Sequence, residues 1–246
     1  MHQTPVLLVI AHGSRDPRHA ATVHALVRRV RSRRPGLRVE VGFLDFTTPS
    51  VQGVLESLAA QGVRDVVALP LLLTRAFHAK ADIPAVLRDA PPQLRIRQAE
   101  VLGPSPLLVR ALERRLYEAG LTPADKSSTG IVLASAGSTD PEAIAVVDGL
   151  AREWWHTGWR AVRPAFASAA LPRTEDAVRE LRALGCRRIA VAPYVLAPGF
   201  LPDRIVRGAA EADVLADVLG PAPEVARVLL ERYDAARAPL LAAVGA

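Results

Sequence analysis

Two imidazoles and a carboxylate, His12, Asp45 and His78, are the side chains of this 246-residue chain whose types and spacing point to chemistry. Each follows a short apolar run: His12 after residues 6–10, Asp45 after 37–43, and His78 in the loop leaving 66–73. Two His and one carboxylate with open positions suit a borderline divalent first-row ion such as iron(II), cobalt(II), nickel(II) or zinc(II). The same imidazoles accept protons near neutral pH. The apolar runs, with a fourth at 94–99, alternate with segments of helical period at 17–33, 50–61, 81–90 and 107–119. That alternation predicts a parallel sheet with helices on both faces. Ligands of an open parallel sheet bind beyond the carboxyl ends of its strands, so three successive loops can bring these side chains to one cleft.

After a polar linker at 122–129 the pattern starts again. Ile131–Ala136 followed by Gly137-Ser138-Thr139-Asp140-Pro141 echoes Leu7–His12 followed by Gly13-Ser14-Arg15-Asp16-Pro17 at an offset of 124. Ala165-Phe166-Ala167 with Pro172 echoes Gly42-Phe43-Leu44 with Pro49 at an offset of 123, as does Val191–Leu196 against Ala68–Leu73. Val218-Leu219-Gly220-Pro221 echoes Val101-Leu102-Gly103-Pro104 at an offset of 117. The chain therefore reads as a tandem duplication, with halves expected at 1–124 and 125–246. The copy is an internal control. His12 is matched by Ala136, Asp45 by Ser168 and His78 by Leu201, while the Gly-Ser and Asp-Pro of the first turn persist. One half is equipped for chemistry and the other is scaffold. His19, His24 and His156 lack this support and read as surface residues. His19 and His24 are five apart, not the four that shares a helical face. Cys186, matched by Val63, reads as core, and Trp154, Trp155 and Trp159 as packing or a domain contact.

Composition narrows the classes. The single cysteine excludes a disulfide framework and any Cys-based metal site. No apolar run reaches the roughly 18 residues of a membrane span, and no secretory leader is recognisable, so a cytoplasmic globular protein is expected. The net charge is +6, and 29 of the 31 basic residues are arginine. Six arginines fall between Arg28 and Arg38, but aromatics are only 4% of the chain, too few for base stacking, and no nucleic-acid partner is expected. Scattered arginines suit an anionic small substrate instead, because guanidinium pairs carboxylates bidentately. No GxxxxGK[ST] loop is present, nor a GxGxxG after a strand or a GxSxG elbow, so no nucleotide cofactor is expected.

The segments Val9–Pro17, Gly42–Asp45 with Pro49-Ser50, and Pro70–Leu73 through His78 to Asp82-Ile83-Pro84 together resemble the class II sirohydrochlorin chelatases in their long, two-half form. The resemblance covers essentially the whole chain. It implies two tandem chelatase-like (flavodoxin-like) α/β domains, each with a four-stranded parallel sheet flanked by helices. It implies ATP-independent insertion of cobalt(II) or iron(II), with nickel(II) also admissible, into sirohydrochlorin or a related anionic tetrapyrrole, for cobalamin or sirohaem synthesis. His12 and His78 would then hold the metal with Asp45, His12 would also take a pyrrole proton, and the loop Leu73-Thr74-Arg75-Ala76-Phe77 would line the macrocycle. Arg15 and Arg75 are candidates for its carboxylates, and Gly13, Ser14 and the start of the first helix for another. Two departures stand out: Asp45 replaces a usual Glu, and Arg75-Ala76-Phe77 replaces a loop that usually contains Gly. A non-catalytic metal or tetrapyrrole carrier would use the same residues. The two halves can pair within one chain, which points to a monomer.

Overall fold

In a computed structural model, residues 4–75 and 78–242 are described, residues 78 and 239–242 by their backbone alone. The chain folds into two compact units, one of residues 1–103 and 221–246 and the other of residues 104–220.

The first unit runs β1 (Val6–Ala11), α1 (Pro17–Arg33), β2 (Val39–Phe43), α2 (Val51–Ala60), β3 (Asp65–Pro70), a π-helical turn His78–Asp82, α3 (Ile83–Arg88) and β4 (Arg95–Gln98). The strands form a parallel sheet in the order β2-β1-β3-β4. Central β1 is covered on both faces, so it reads as an unbroken apolar run, with Leu7, Leu8 and Val9 fully buried. One face packs Leu8 and Ile10 with Val51, Leu55 and Leu58 of α2 and Ile83 of α3. Asp16 starts α1 by accepting the Arg18 N–H at 2.9 Å, with Pro17 at the first helical position. Ser50 starts α2 by accepting the Gly53 N–H at 3.1 Å. Much of the arginine cluster has structural work: Arg31 donates to the Val39 carbonyl, and Arg38 pairs with Glu40.

The second unit repeats the plan after α4 (Pro106–Glu118): β5 (Thr129–Ser135), α5 (Pro141–Trp155), β6 (Ala161–Phe166), α6 (Thr174–Ala183), β7 (Arg188–Tyr194), α7 (Phe200–Gly208) and β8 (Val214–Leu215). Its parallel sheet has the matching order β6-β5-β7-β8. Phe46 and Ala169 occupy equivalent turns with positive φ of 59° and 62°. The expected linker is a 3-10 turn, Pro123–Ser128, leading straight into β5.

The compact units differ from the sequence halves expected at 1–124 and 125–246. The last helix of each half belongs to the other half's unit: α4 packs on β7, and α8 (Pro223–Ala242) packs on α1, β3 and β4. Equivalent arginines fix both. Arg115 of α4 donates to the Leu219 carbonyl at 3.0 Å, and Arg232 of α8 donates to the Val101 and Leu102 carbonyls at 2.9 and 3.2 Å. The buried Tyr233 hydroxyl donates to the Pro5 carbonyl at 2.6 Å. An amphipathic helix satisfies either sheet equally well, so the pattern of apolar residues alone could not show the exchange.

Candidate active site

His12 and Asp45 are brought together by the sheet. β1 and β2 are neighbours with Ala11 opposite Phe43, so the residues just past their ends lie side by side. Two backbone bonds extend the ladder beyond the strands, from Leu44 N–H to the Ala11 carbonyl at 3.0 Å and from Asp45 N–H to the His12 carbonyl at 2.9 Å. Gly13 makes the close approach possible. Its φ is +94°, and a Cβ there would run into the Asp45 carbonyl oxygen. Gly137 repeats this against Ser168, which explains why the glycine persists in a half that lacks the histidine and the carboxylate.

Asp45 is exposed, and its Oδ1 accepts the Phe46 N–H at 2.8 Å. Phe46 is the residue that sequence reasoning missed. Its ring is 53% exposed and lies parallel to the His12 imidazole, with centroids 6.4 Å apart and a 7° interplanar angle. The Arg15 guanidinium sits 4.9 Å from the same ring centroid. The signal was available: Phe46 is matched by Ala169, so it is lost together with the histidines. His19 also differs from its surface reading. Its Nδ1 is buried without a hydrogen-bond partner among the described residues. Burial, followed by the field of His12, holds its pKa below the usual imidazole value, against the opposing pull of Asp16. His24 is exposed and lies edge-on to Phe43.

His78 begins the π-helical turn that follows β3, rather than lying in an irregular loop. Since β3 is the other neighbour of β1, with Pro70 opposite Ile10, this segment leaves the same end of the sheet. The His78 side chain and residues Ala76 and Phe77 lie outside what the structure describes. Among the described residues, no group of three His, Cys, Asp or Glu side chains is gathered for a metal. Leu73 and Thr74 are partly buried, and Arg75 is exposed at a 270 Å³ cavity shared with Lys80, Gln98 and Glu100. Ser14 is occupied internally: its N–H donates to Thr47 Oγ1 at 3.3 Å, and its hydroxyl accepts the Asp16 N–H at 3.0 Å. Asp16 likewise fills the first turn of α1, so the carboxylate expected at that helix start finds these donors taken. Among the described residues, no helix is long and apolar enough to cross a membrane.

Comparison with known proteins agrees with this plan. The CbiX family model matches residues 6–119 and again 130–236. A sirohydrochlorin cobaltochelatase of Priestia megaterium is 28% identical over 211 residues, which is 83% of this chain and 68% of the relative. A sirohydrochlorin ferrochelatase of the same organism is 27% identical over 234 residues, covering 91% of this chain and 87% of the relative. The solved structure of SirB from Bacillus subtilis with Fe3+ superposes with a TM-score of 0.82 at 25% identity, covering 97% and 98% of the two chains.

Proposed function

The chain belongs to the CbiX family, and from that premise we propose that it inserts cobalt(II) or iron(II) into sirohydrochlorin without nucleotide. The observation that carries the proposal is the pairing of an imidazole and a carboxylate, His12 and Asp45, at the hydrogen-bonded end of β1, where the other half keeps the bond but has Ala136 and Ser168. Metallation needs an ion to shed water, enter the ring and replace two pyrrole protons. His12 and Asp45, with His78, hold the incoming ion through nitrogen and oxygen, weakly enough to release it to the ring. His12 takes up one pyrrole proton, a role suited to an imidazole at neutral pH. Asp45 supplies the negative charge that draws the ion to the cleft, through the oxygen its own turn leaves unused. The parallel face of Phe46 offers a flat apolar surface to a macrocycle, and Arg15 behind it faces peripheral carboxylates. Leu73, Thr74 and Arg75, which follow β3, line the macrocycle from the other neighbour of β1.

The test is an absorbance assay of sirohydrochlorin with iron(II), cobalt(II) and nickel(II) in parallel, without nucleotide. Turnover with iron or cobalt that is lost in His12→Ala supports the reading. Stoichiometric retention of metal or pigment with no turnover would make the protein a carrier.

A further inference from the structure

The half that lost the metal ligands has gained something in return. A 330 Å³ cavity in the second unit is lined by Phe166, Arg173, Thr174, Glu175, Arg204 and Arg207, with Ala167 and Gly208 completing it. Three guanidinium groups against one carboxylate make it a cationic pocket. Arg204 and Arg207 are three apart on α7, so both reach one face of that helix. Gly208 lets α7 approach the first turn of α6 closely, since a Cβ there would sit 2.9 Å from Thr174 Cβ.

The side chains of Arg204 and Arg207 do not serve the fold. Among the described residues, the guanidinium groups of Arg204 and Arg207 make no hydrogen bond or ion pair. The Arg173 guanidinium reaches only the Phe166 carbonyl, at 3.4 Å. Arg173 also occupies the N-cap position of α6, where an arginine offers no acceptor and where the first half has the capping Ser50. Asp176 compensates by accepting the Arg173 N–H at 3.0 Å. At the 123-residue offset, Arg204 and Arg207 replace Ala81 and Pro84. All three arginines are therefore particular to the second half. Unpaired guanidinium groups converging on a cavity are costly to keep together without an anion between them.

We propose that Arg173, Arg204 and Arg207 form an oxyanion site in the second unit, which takes a small group carrying two or more carboxylate or phosphate charges. The anion has two sources, the peripheral carboxylates of a bound macrocycle or a separate small metabolite. Glu175, on the rim, opposes binding and limits its strength.

The experiment is calorimetric titration of the metal-free full-length chain with citrate and with inorganic phosphate. Saturable binding is expected, weakened roughly tenfold or more in an Arg204→Ala/Arg207→Ala variant, given the strength of charge-assisted hydrogen bonds. Glu175→Gln should tighten it severalfold, an effect that a purely structural role for the arginines does not produce. Circular dichroism and melting confirm that both variants fold. Equal affinity in wild type and the double arginine variant overturns the proposal, as does binding of neither anion together with unaltered sirohydrochlorin affinity. A parallel fluorescence titration with metal-free sirohydrochlorin identifies the source. Weakened binding in the double variant, with citrate competing, assigns the site to the macrocycle. Unchanged pigment binding with citrate binding lost assigns it to a separate anion. Neither arm requires metal insertion, so failure of the proposed chelatase activity is distinguishable from failure of this site.

Discussion

The backbone N–H of Asp45 donates to the carbonyl of His12 at 2.9 Å, so the two side chains are held by the same bond that extends the β1–β2 ladder one step beyond the sheet. The site is thus built by continuation of regular structure, and its precision is inherited from the most buried strand of the unit. The equivalent bond from Ser168 to Ala136, at 3.0 Å, shows that this juncture forms without the imidazole or the carboxylate. Structure and reactivity are therefore separable by substitution.

His12→Ala places in the first unit the residue that the second unit already carries at the same position. The fold should be unaffected, with melting temperature within a few degrees of wild type. Metal insertion should fall by about 100-fold or more, the usual scale for loss of a positioned proton acceptor. Initial rates from sirohydrochlorin absorbance, normalised to folded protein, check it. Retained rates would remove His12 from the mechanism.

At Asp45 two variants divide the carboxylate's duties. Asn keeps an Oδ1 acceptor for the Phe46 N–H, whereas Ala does not. Asp45→Asn should therefore keep the turn and its stability but lose about tenfold or more in rate, through loss of charge toward a divalent ion. Asp45→Ala should lose rate and also about 1 kcal/mol of stability, the scale of one hydrogen bond. Equal rates for Asn and wild type would show that charge at this position is immaterial.

The strands, their order of use and the duplication were legible because a parallel sheet covered on both faces writes itself as apolar runs. His12 and Asp45 were legible because a copied fold shows which polar residues the fold does not need. Phe46 is less legible, because an aromatic residue after a strand ordinarily packs inward. Its exposure and positive φ are visible only in three dimensions. His19 is hidden for a related reason, since helical spacing relates it to His24 but says nothing of the field of His12. The helix expected at 81–90 begins instead with the π-helical turn at His78, a feature often associated with functional sites.

Phe46→Ala tests the flat-surface role. The second unit shows alanine in the same turn at nearly the same positive φ, so the substitution fits the backbone. Melting should hardly change. KM for sirohydrochlorin should rise roughly fivefold to tenfold with little change in kcat, as expected for lost aromatic contact of about 1 kcal/mol. A fall in kcat at constant KM would instead tie Phe46 to the orientation of His12.

Arg34, at the end of α1, holds Asp234 of α8 through two bonds of 2.6 Å each. Hydrogen bonding from Arg34, reinforced by its charge and that of Arg237, keeps the Asp234 carboxyl below its ordinary value despite partial burial. A carboxyl whose folded pKa is depressed stabilises the fold above its unfolded pKa, about 4, and loses that contribution as pH falls through the folded value. Arg34→Ala should therefore cost up to about 1 kcal/mol near neutrality, a modest figure because the pair is partly solvent-screened. The difference from wild type should shrink below about pH 4. Urea melts at pH 7 and pH 3 check the sign, and a difference that grew on acidification would refute the coupling.

The helix exchange makes the strongest demand on the whole chain. Residues 1–124 are one sequence repeat, yet that fragment lacks α8, whose Val225, Ala226, Leu229 and Tyr233 are fully buried. It would also carry α4 without the β7 surface on which that helix packs. The bared sheet face is apolar and large, so the fragment alone should bind a hydrophobic dye and melt without a cooperative transition. Joining residues 1–103 to 221–246 through a short Gly/Ser linker instead restores Tyr233 to Pro5 and Arg232 to Leu102. That chimera should melt cooperatively and keep the His12–Asp45 juncture, although it is hardly longer than the failing fragment. Calorimetry of the two polypeptides side by side decides the matter. Cooperative melting of 1–124 as a monomer would show that α4 can return to its own half, and that the exchange contributes little to the stability of the active unit.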